Sequence, residues 1–345
     1  MKSIFELKED GLKDYLKSIN EPSYRSSQIF KFINNFVDNF DDMTNLPKSL
    51  RENLKQNFCI YDMKIIKKQV SKDKNASKYL IKLHDGYLIE AVRLKYKYGY
   101  SLCVSTQVGC KMGCNFCAST IGGKARDLKA YELIQQLTLI GNIEKEKITH
   151  CVLMGIGEPL DNYDEILTFF KDVNDEKGLN ISHRRITMST CGLVPEIKKL
   201  ADENLQITLA ISLHNPFNDE RSKIMPINRK YPLEELIDAI DYYIEKTNRR
   251  VSIEYALIAG VNDSDRHLNK LVELLKDKLI HVNLIPINPI KERDYKPTEN
   301  KAVFEFQQKL IENNINATVR RELGDDIDGA CGQLRRNNIK EEDNL

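Results

Sequence analysis

No apolar run in this 345-residue chain reaches the length a membrane-crossing helix needs. Its opening stretch, MKSIFELKEDGLKDYL, mixes both charges too densely for a signal or transit peptide, so a cytoplasmic protein without a membrane partner is expected. Low-complexity segments and short-period repeats are also lacking. Net charge is nearly absent, with 52 Lys and Arg against 51 Asp and Glu, so the total alone says nothing about an anionic partner. Eight cysteines are too few for a disulfide framework in a chain this long, and point to metal binding or catalysis in a reducing compartment. What is present is enough apolar material, 41% of residues, for one large domain with a small one, or for two ordinary ones.

Charge is unevenly placed. Residues 1–60 carry 9 basic and 9 acidic side chains, residues 61–130 carry 14 and 5, and the remainder must then be net −8 to reach the total of +1. A basic segment leading into a reactive centre suits a nucleic-acid substrate, since phosphate neutralisation dominates such affinity. A solvated, lysine-rich strand face explains the same count equally well.

Leu12, Tyr15, Leu16 and Ile19 recur at helical spacing, as do Ile29, Phe30, Ile33 and Phe36, with a third helix through Leu50 and Leu54. That second helix is expected to run to about Asp41-Asp42. These residues form a small helical unit over 1–60, followed over 61–98 by a basic segment of period two with a hairpin turn at Asp85-Gly86. Glu90 lies in it, with Lys95, Tyr96, Lys97 and Tyr98, a run suited to stacking on bases and meeting phosphates or to forming a wet strand edge. From 99 onward strand and helix patterns alternate. Strands are predicted at 102–106, 148–154, 185–190, 207–213, 251–258 and 281–287, and helices near 130–141, 163–173, 195–203, 232–247, 264–277 and 301–313. Six such repeats predict an α/β fold, a parallel sheet covered by helices and closed partly or wholly into a barrel.

In such folds the chemistry collects at the carboxyl ends of the strands. There the sequence places Gly155-Ile156-Gly157-Glu158-Pro159, Ser189-Thr190-Cys191-Gly192, Ser212-Leu213-His214-Asn215 and Asn288-Pro289. Ahead of them stands GCKMGCNFC, with Cys110, Cys114 and Cys117 at spacing C-x3-C-x2-C. Structural zinc wants four ligands and an ordinary iron-sulfur cluster four cysteines, so three close thiolates suggest a cluster with one iron left open. Zinc, with Cys103 or a distant cysteine as fourth ligand, is the alternative.

That spacing, with Phe116 before the third cysteine, resembles the radical S-adenosylmethionine (SAM) enzymes, in which the open iron of a 4Fe-4S cluster binds SAM and an electron cleaves it to a radical. The runs LCVSTQVGCKMGCNFCAST, MGIGEPLDN, MSTCGLVP, ISLHNP, MPINRKYPLEEL and GDDIDGACGQL, in this order over nearly the whole chain, are similar to the RlmN family of adenine carbon-2 methyltransferases. Cys191 departs from the pattern where a serine or similarly small residue is expected. The resemblance implies a partial (β/α)6 radical SAM barrel over 99–334 with a C-terminal catalytic loop, the small helical domain and β linker ahead of it, and a polar tail over 335–345. It implies a monomer acting on 23S rRNA and, in some members, tRNA adenosine 37, with an electron donor such as flavodoxin.

Roles follow from the resemblance residue by residue. Cys110, Cys114 and Cys117 hold the cluster, while Gly157, Glu158, Ser189, Ser212, Leu213, His214 and Asn288 contact SAM. Cys331 takes a methyl group from one SAM, and a second SAM is cleaved so that the methylated residue can add to adenine. Cys103 then attacks Cys331, leaving a transient disulfide, and Glu90 accepts the proton. Read as residues alone, Glu90 is either a desolvated base or a solvent-facing strand carboxylate, and His214 either touches SAM or caps a turn. Asp325, Asp326 and Asp328 suit loop positioning, and Cys59, Cys151 and Cys191 read as small buried hydrophobes. Two rivals remain on sequence: a Cfr-type carbon-8 methyltransferase conferring ribosomal antibiotic resistance, and a non-enzymatic iron-sulfur or zinc protein that binds RNA and senses redox state.

Overall fold

The structure, a computed structural model, describes residues 1–35, 37–287, 293–320 and 327. A two-residue strand β1 (Lys2–Ser3) precedes helices α1 (Lys8–Ser18), α2 (Arg25–Ile33) and α3 (Lys48–Asn57), and pairs in parallel with β2 (Phe58–Cys59). Leu12, Leu16, Ile29, Ile33, Leu50 and Leu54 are buried, as their helical spacing requires. Helix α2 stops at Ile33, short of the expected end near residue 41, and Phe36 lies outside the described residues. Asn34 ends it by turning its side-chain amide back onto the Phe30 carbonyl at 2.9 Å.

Four antiparallel strands follow: β3 (Lys64–Val70), β4 (Ala76–Lys82), β5 (Leu88–Tyr96) and β6 (Gly99–Cys103). A short ribbon of β7 (Gln107–Gly109) and β8 (Lys124–Asp127) brackets the cysteine loop. Then come α4 (Ala130–Glu144), β9 (Ile148–Leu153), α5 (Tyr163–Val173), β10 (Ile186–Thr190), α6 (Val194–Asp202), β11 (Thr208–Ser212), α7 (Asn218–Ile224) and α8 (Leu233–Thr247). β12 (Val251–Leu257), α9 (Asp265–Leu275), β13 (Ile280–Pro286), α10 (Asn300–Glu312) and β14 (Ala317–Val319) complete the described elements. One ten-stranded sheet runs β14-β13-β12-β11-β10-β9-β6-β5-β4-β3, parallel from β14 to β6 and antiparallel beyond. This is the expected radical SAM α/β architecture, with one parallel strand, β14, that three residues of period two were too short to announce.

Alternation along the parallel strands divides the sheet into two faces. Met188, Leu209, Ile211, Ile253, Val282 and Leu284 are buried in the helical core. Thr187, Ser189, Thr208, Ser212, Ser252, Glu254, His281 and Asn283 line cavities on the other face. A barrel interior is ordinarily filled by branched apolar side chains, so a polar interior is a place for a ligand. Gln135 and Gln136 of α4, both fully buried, tie the units together. Gln135 donates to Ser3 Oγ at 2.8 Å, and Gln136 brackets Ser105, accepting from its N–H at 2.9 Å and donating to its carbonyl at 3.0 Å.

Candidate active site

The cysteine loop leaves β7 and returns through β8, so its ends are held by strand pairing and its middle faces the carboxyl ends of the barrel strands. Its base is clamped by the turn after β9. Gln107 accepts from the Glu158 N–H at 2.8 Å, Lys111 and Lys124 meet Asp161 at 2.6 and 2.8 Å, and Asn162 donates to the carbonyls of Thr106 and Leu128. Nearly every polar residue of the MGIGEPLDN run therefore has a partner in the cysteine loop or its ribbon. Gly157 stands at φ +117, and a Cβ there would lie 2.7 Å from Gln107 Cβ and Thr106 Oγ1. Glycine at this point is a condition of close packing.

A cavity of about 280 Å³ opens between this loop and the strand ends, lined by Cys110, Cys114, Cys117, Gly155, Gly157, Glu158, Ser189, Ser212 and His214 among others. Burial pushes the Cys110 thiol up to about 12 and the Cys114 thiol well above its ordinary value, and the neighbouring sulfurs add to both shifts. Thiols so buried ionise when a bound cation shares them. Cys110, Cys114 and Cys117 come from one short loop and line one wall of the cavity. A multi-iron cluster, whose thiolates sit on separate irons, suits that donor set.

The rest of the wall is rigid. Glu158 is buried and accepts from Leu160 N–H at 3.1 Å and Cys191 N–H at 2.8 Å; burial raises its carboxyl above the usual value while those amides work the other way. Ser189 and Ser212 hydroxyls lie 3.4 Å apart on adjacent strands. His214 holds the turn after β11 and also lines the cavity. It turns the chain at φ +55, accepts from Ala256 N–H through Nδ1 at 2.9 Å, and still lines the cavity, edge-on to Phe116. Burial, with Arg221 nearby, drops its imidazole to about 3, so it stays neutral with its proton on Nε2. Leu213 is different: its side chain is buried in the core, and it is not a lining residue of either cavity.

Cys103 ends β6 in a second cavity of about 330 Å³, whose walls include Val152, Thr187, Arg250, Ser252 and Asn283. The two cavities share Met154, Glu254 and Arg320, so they adjoin within one barrel. Val92 is the register partner of Cys103, which puts Glu90, two residues away on β5, on the same sheet face as that thiol. Glu90 is buried and forms an ion pair with Lys78 at 3.1 Å, which removes the solvent-facing alternative. Cys331, Asn288, Asp325, Asp326 and Asp328 lie outside the described residues.

Comparison with known proteins meets this geometry. Residues 104–272 match the Radical SAM superfamily and residues 2–60 match the ribosomal RNA large subunit methyltransferase N-terminal domain. A curated relative from Clostridium novyi, named as a dual-specificity RNA methyltransferase RlmN, is 51% identical over 99% of both chains. The chain belongs to the RlmN family. A like-named relative from Clostridioides difficile is 50% identical over 95% of this chain and 96% of its own. The crystal structure of a radical SAM methyltransferase from Sphaerobacter thermophilus superposes with a TM-score of 0.92 at 39% identity, covering 96% of this chain and 99% of the other. As an RlmN family member the chain is a SAM-dependent RNA methyltransferase, with a 4Fe-4S cluster and SAM as its cofactors. Among the described residues, no helix is long and apolar enough to cross a membrane.

Several residues that build this RlmN-type site escape a reading of the sequence. Arg221 is fully buried and donates to the carbonyls of Leu213, Cys191 and Ser212 and to Asn228 Oδ1, stitching together the loops after β10 and β11. Burial lowers its guanidinium to about 10, still charged at neutral pH. Asp161 and Glu254 are likewise invisible without the fold, since a lone charged residue beside a strand or turn is ordinarily solvated. Cys59 is only half-buried, with its thiol near the Met1 and Lys2 carbonyls, whereas Cys151 and Cys191 are buried as expected. Cys191 also lines the cofactor cavity.

Proposed function

We propose that this RlmN family enzyme methylates carbon 2 of an adenosine in 23S rRNA and of tRNA adenosine 37, using two SAM molecules per turnover and a methylated Cys331. The observation that carries the reading is the position of Cys103, half-buried in a cavity that shares Met154 and Glu254 with the three-cysteine cavity. In the proposal, Cys110, Cys114 and Cys117 hold the cluster, and the turns at Gly157-Glu158, Ser189 and Ser212 to His214, with Asn288, hold SAM. Bound there, cluster and SAM supply one-electron cleavage and hydrogen-atom abstraction.

The chain's own residues do the rest. The Cys331 thiolate attacks the methyl carbon of SAM, forming a sulfur–methyl bond as S-adenosylhomocysteine leaves. Once the methylated Cys331 carbon is joined to adenine and that adduct has lost one electron and the carbon-2 proton, Cys103 attacks the Cys331 sulfur; the sulfur–sulfur bond forms as the sulfur–carbon bond breaks, the freed carbon takes a proton to become the methyl group, and an external reductant must open the disulfide left behind. Glu90, on the face of Cys103 and paired with Lys78, accepts the proton lost from the adenine carbon. A flavodoxin-type protein supplies electrons, and the enzyme works as a cytoplasmic monomer.

Intact-mass and peptide mapping of cluster-loaded Cys103→Ala protein tests the relay. A methyl group or a trapped RNA adduct on the Cys331 peptide is expected; a bare Cys331 with iron and SAM present sinks it. Nucleoside analysis of the product separates carbon 2 from the Cfr-type carbon 8.

A further inference from the structure

The lysine-tyrosine run noticed in the sequence forms the tip of the β5–β6 hairpin. Tyr96 pairs with Gly99 across a two-residue turn of Lys97 and Tyr98. The Tyr96 and Tyr98 rings stack with centroids 5.0 Å apart and planes inclined by 6°, and the edge of His150 packs against Tyr98 at 4.8 Å. Tyr98 is nonetheless 63% exposed.

The tip is also seated firmly. Gly99, at φ +129, lets the strand approach β9 so closely that a Cβ would fall 2.4 Å from Thr149 Oγ1. That hydroxyl donates to the Tyr100 carbonyl at 3.1 Å. Tyr96 lines the Cys103 cavity together with Arg250 and Arg320. Burial raises the Tyr96 phenol while the charge of Arg320 opposes that shift. Arg250 and Arg320 are exposed, and neither has a carboxylate at salt-bridge distance among the described residues.

An exposed tyrosine stacked on a second one, two guanidinium groups with no carboxylate partner among the described residues, and the cavity that holds Cys103 thus adjoin one another. The target atom of a base must reach an enclosed thiol, so its nucleotide has to leave its own stack. Single-stranded RNA held in this way stacks its remaining bases on aromatic rings and lays its phosphates on arginines. We propose that the exposed face of Tyr98, backed by Tyr96, is the platform on which a nucleotide flanking the target adenosine stacks, with its phosphates on Arg250 and Arg320. The inference rests on the RNA methyltransferase reading and adds to it the surface that presents the base.

The test is the affinity of the full, cluster-loaded chain for a fluorescent RNA stem-loop with an unpaired adenosine in its loop, measured by anisotropy at several salt concentrations. Tyr98→Ala is expected to weaken binding about tenfold, in the range lost with one base stack. Tyr98→Phe, which keeps the ring, is expected to restore it. Arg250→Gln is expected to reduce the slope of log affinity against log salt by about 0.7, one phosphate contact to a single strand. Tyr98→Ala binding within twofold of wild type overturns the platform, as does Tyr98→Phe failing as badly as alanine. Wild-type protein that takes up iron and SAM but does not bind the RNA overturns the methyltransferase reading along with it.

Discussion

Lys111, inside the cysteine loop, forms a 2.6 Å ion pair with Asp161 in the turn after β9, and Lys124 at the end of the loop's ribbon reaches the same carboxylate. One side chain thus holds the cysteine loop against the turn that lines the cofactor cavity. Burial of Asp161 favours its neutral form, but hydrogen bonds from Lys111, Lys124 and Gln107 prevail and keep its carboxyl below the usual 3.8. A depressed folded-state value means the clamp's contribution is fully present above the unfolded value of 3.8 and is lost as pH falls from there through the folded one. Asp161→Asn should cost ~1–3 kcal/mol. In a chelator challenge it should release iron faster than wild type at pH 7, and the difference should shrink toward pH 3. Equal rates at pH 7 would show the clamp to be irrelevant to the cluster.

Gly157→Ala places a methyl group within 2.7 Å of Gln107 Cβ and Thr106 Oγ1 at a backbone angle that side chains rarely adopt. The strain alone is on the order of 1–3 kcal/mol. We expect weakened SAM binding by calorimetry together with a lower melting temperature. Unchanged SAM affinity would mean that the turn yields without disturbing the cavity.

Arg221 satisfies three carbonyl oxygens and an amide oxygen while fully buried. Arg221→Met keeps much of the volume and abandons these acceptors, so a loss of at least ~3 kcal/mol is expected in urea unfolding. Arg221→Lys should recover only part of it, because one ammonium cannot span the same set. A lysine variant as stable as wild type would argue that charge, not the planar fork, is what the loops require.

Lys78 and Glu90 are both almost wholly buried at 3.1 Å. Removing one partner should be worse than removing both: Lys78→Met is expected to destabilise by about 3–5 kcal/mol, and the double variant Lys78→Met/Glu90→Leu by less. Denaturant midpoints of the two variants decide it. Glu90→Leu should also abolish RNA methylation if Glu90 is the proton acceptor, while leaving methylation of Cys331 itself measurable by mass.

Most of the fold could be read from the chain. Ile253, Tyr255 and Leu257 alternate with Ser252, Glu254 and Ala256, and a strand with helices on one side and a cavity on the other must show that pattern. Strand β14 and the early end of α2 could not, because three residues carry too little periodicity and Asn34 ends a helix only by where its amide turns. The cysteine spacing was legible because a cluster's donors must be close in sequence to share one loop. Tyr96 and Tyr98 could be seen as candidates, but stacking platform and wet strand edge have the same letters.

The sequence by itself determined the chemistry at each strand end: three thiols in one loop, a glycine turn, a serine on each of two neighbouring strands, a neutral-capable histidine. Only the tertiary structure decided what these groups face. It buried Glu90 against Lys78, put Cys103 in a cavity adjoining that of the cluster cysteines, and drew Arg221 and Asp161 into partnerships with loops distant in the chain. Burial and charge pairing depend on which segments the sheet order brings together, and that order is set by the packing of the whole barrel rather than by any local run of residues.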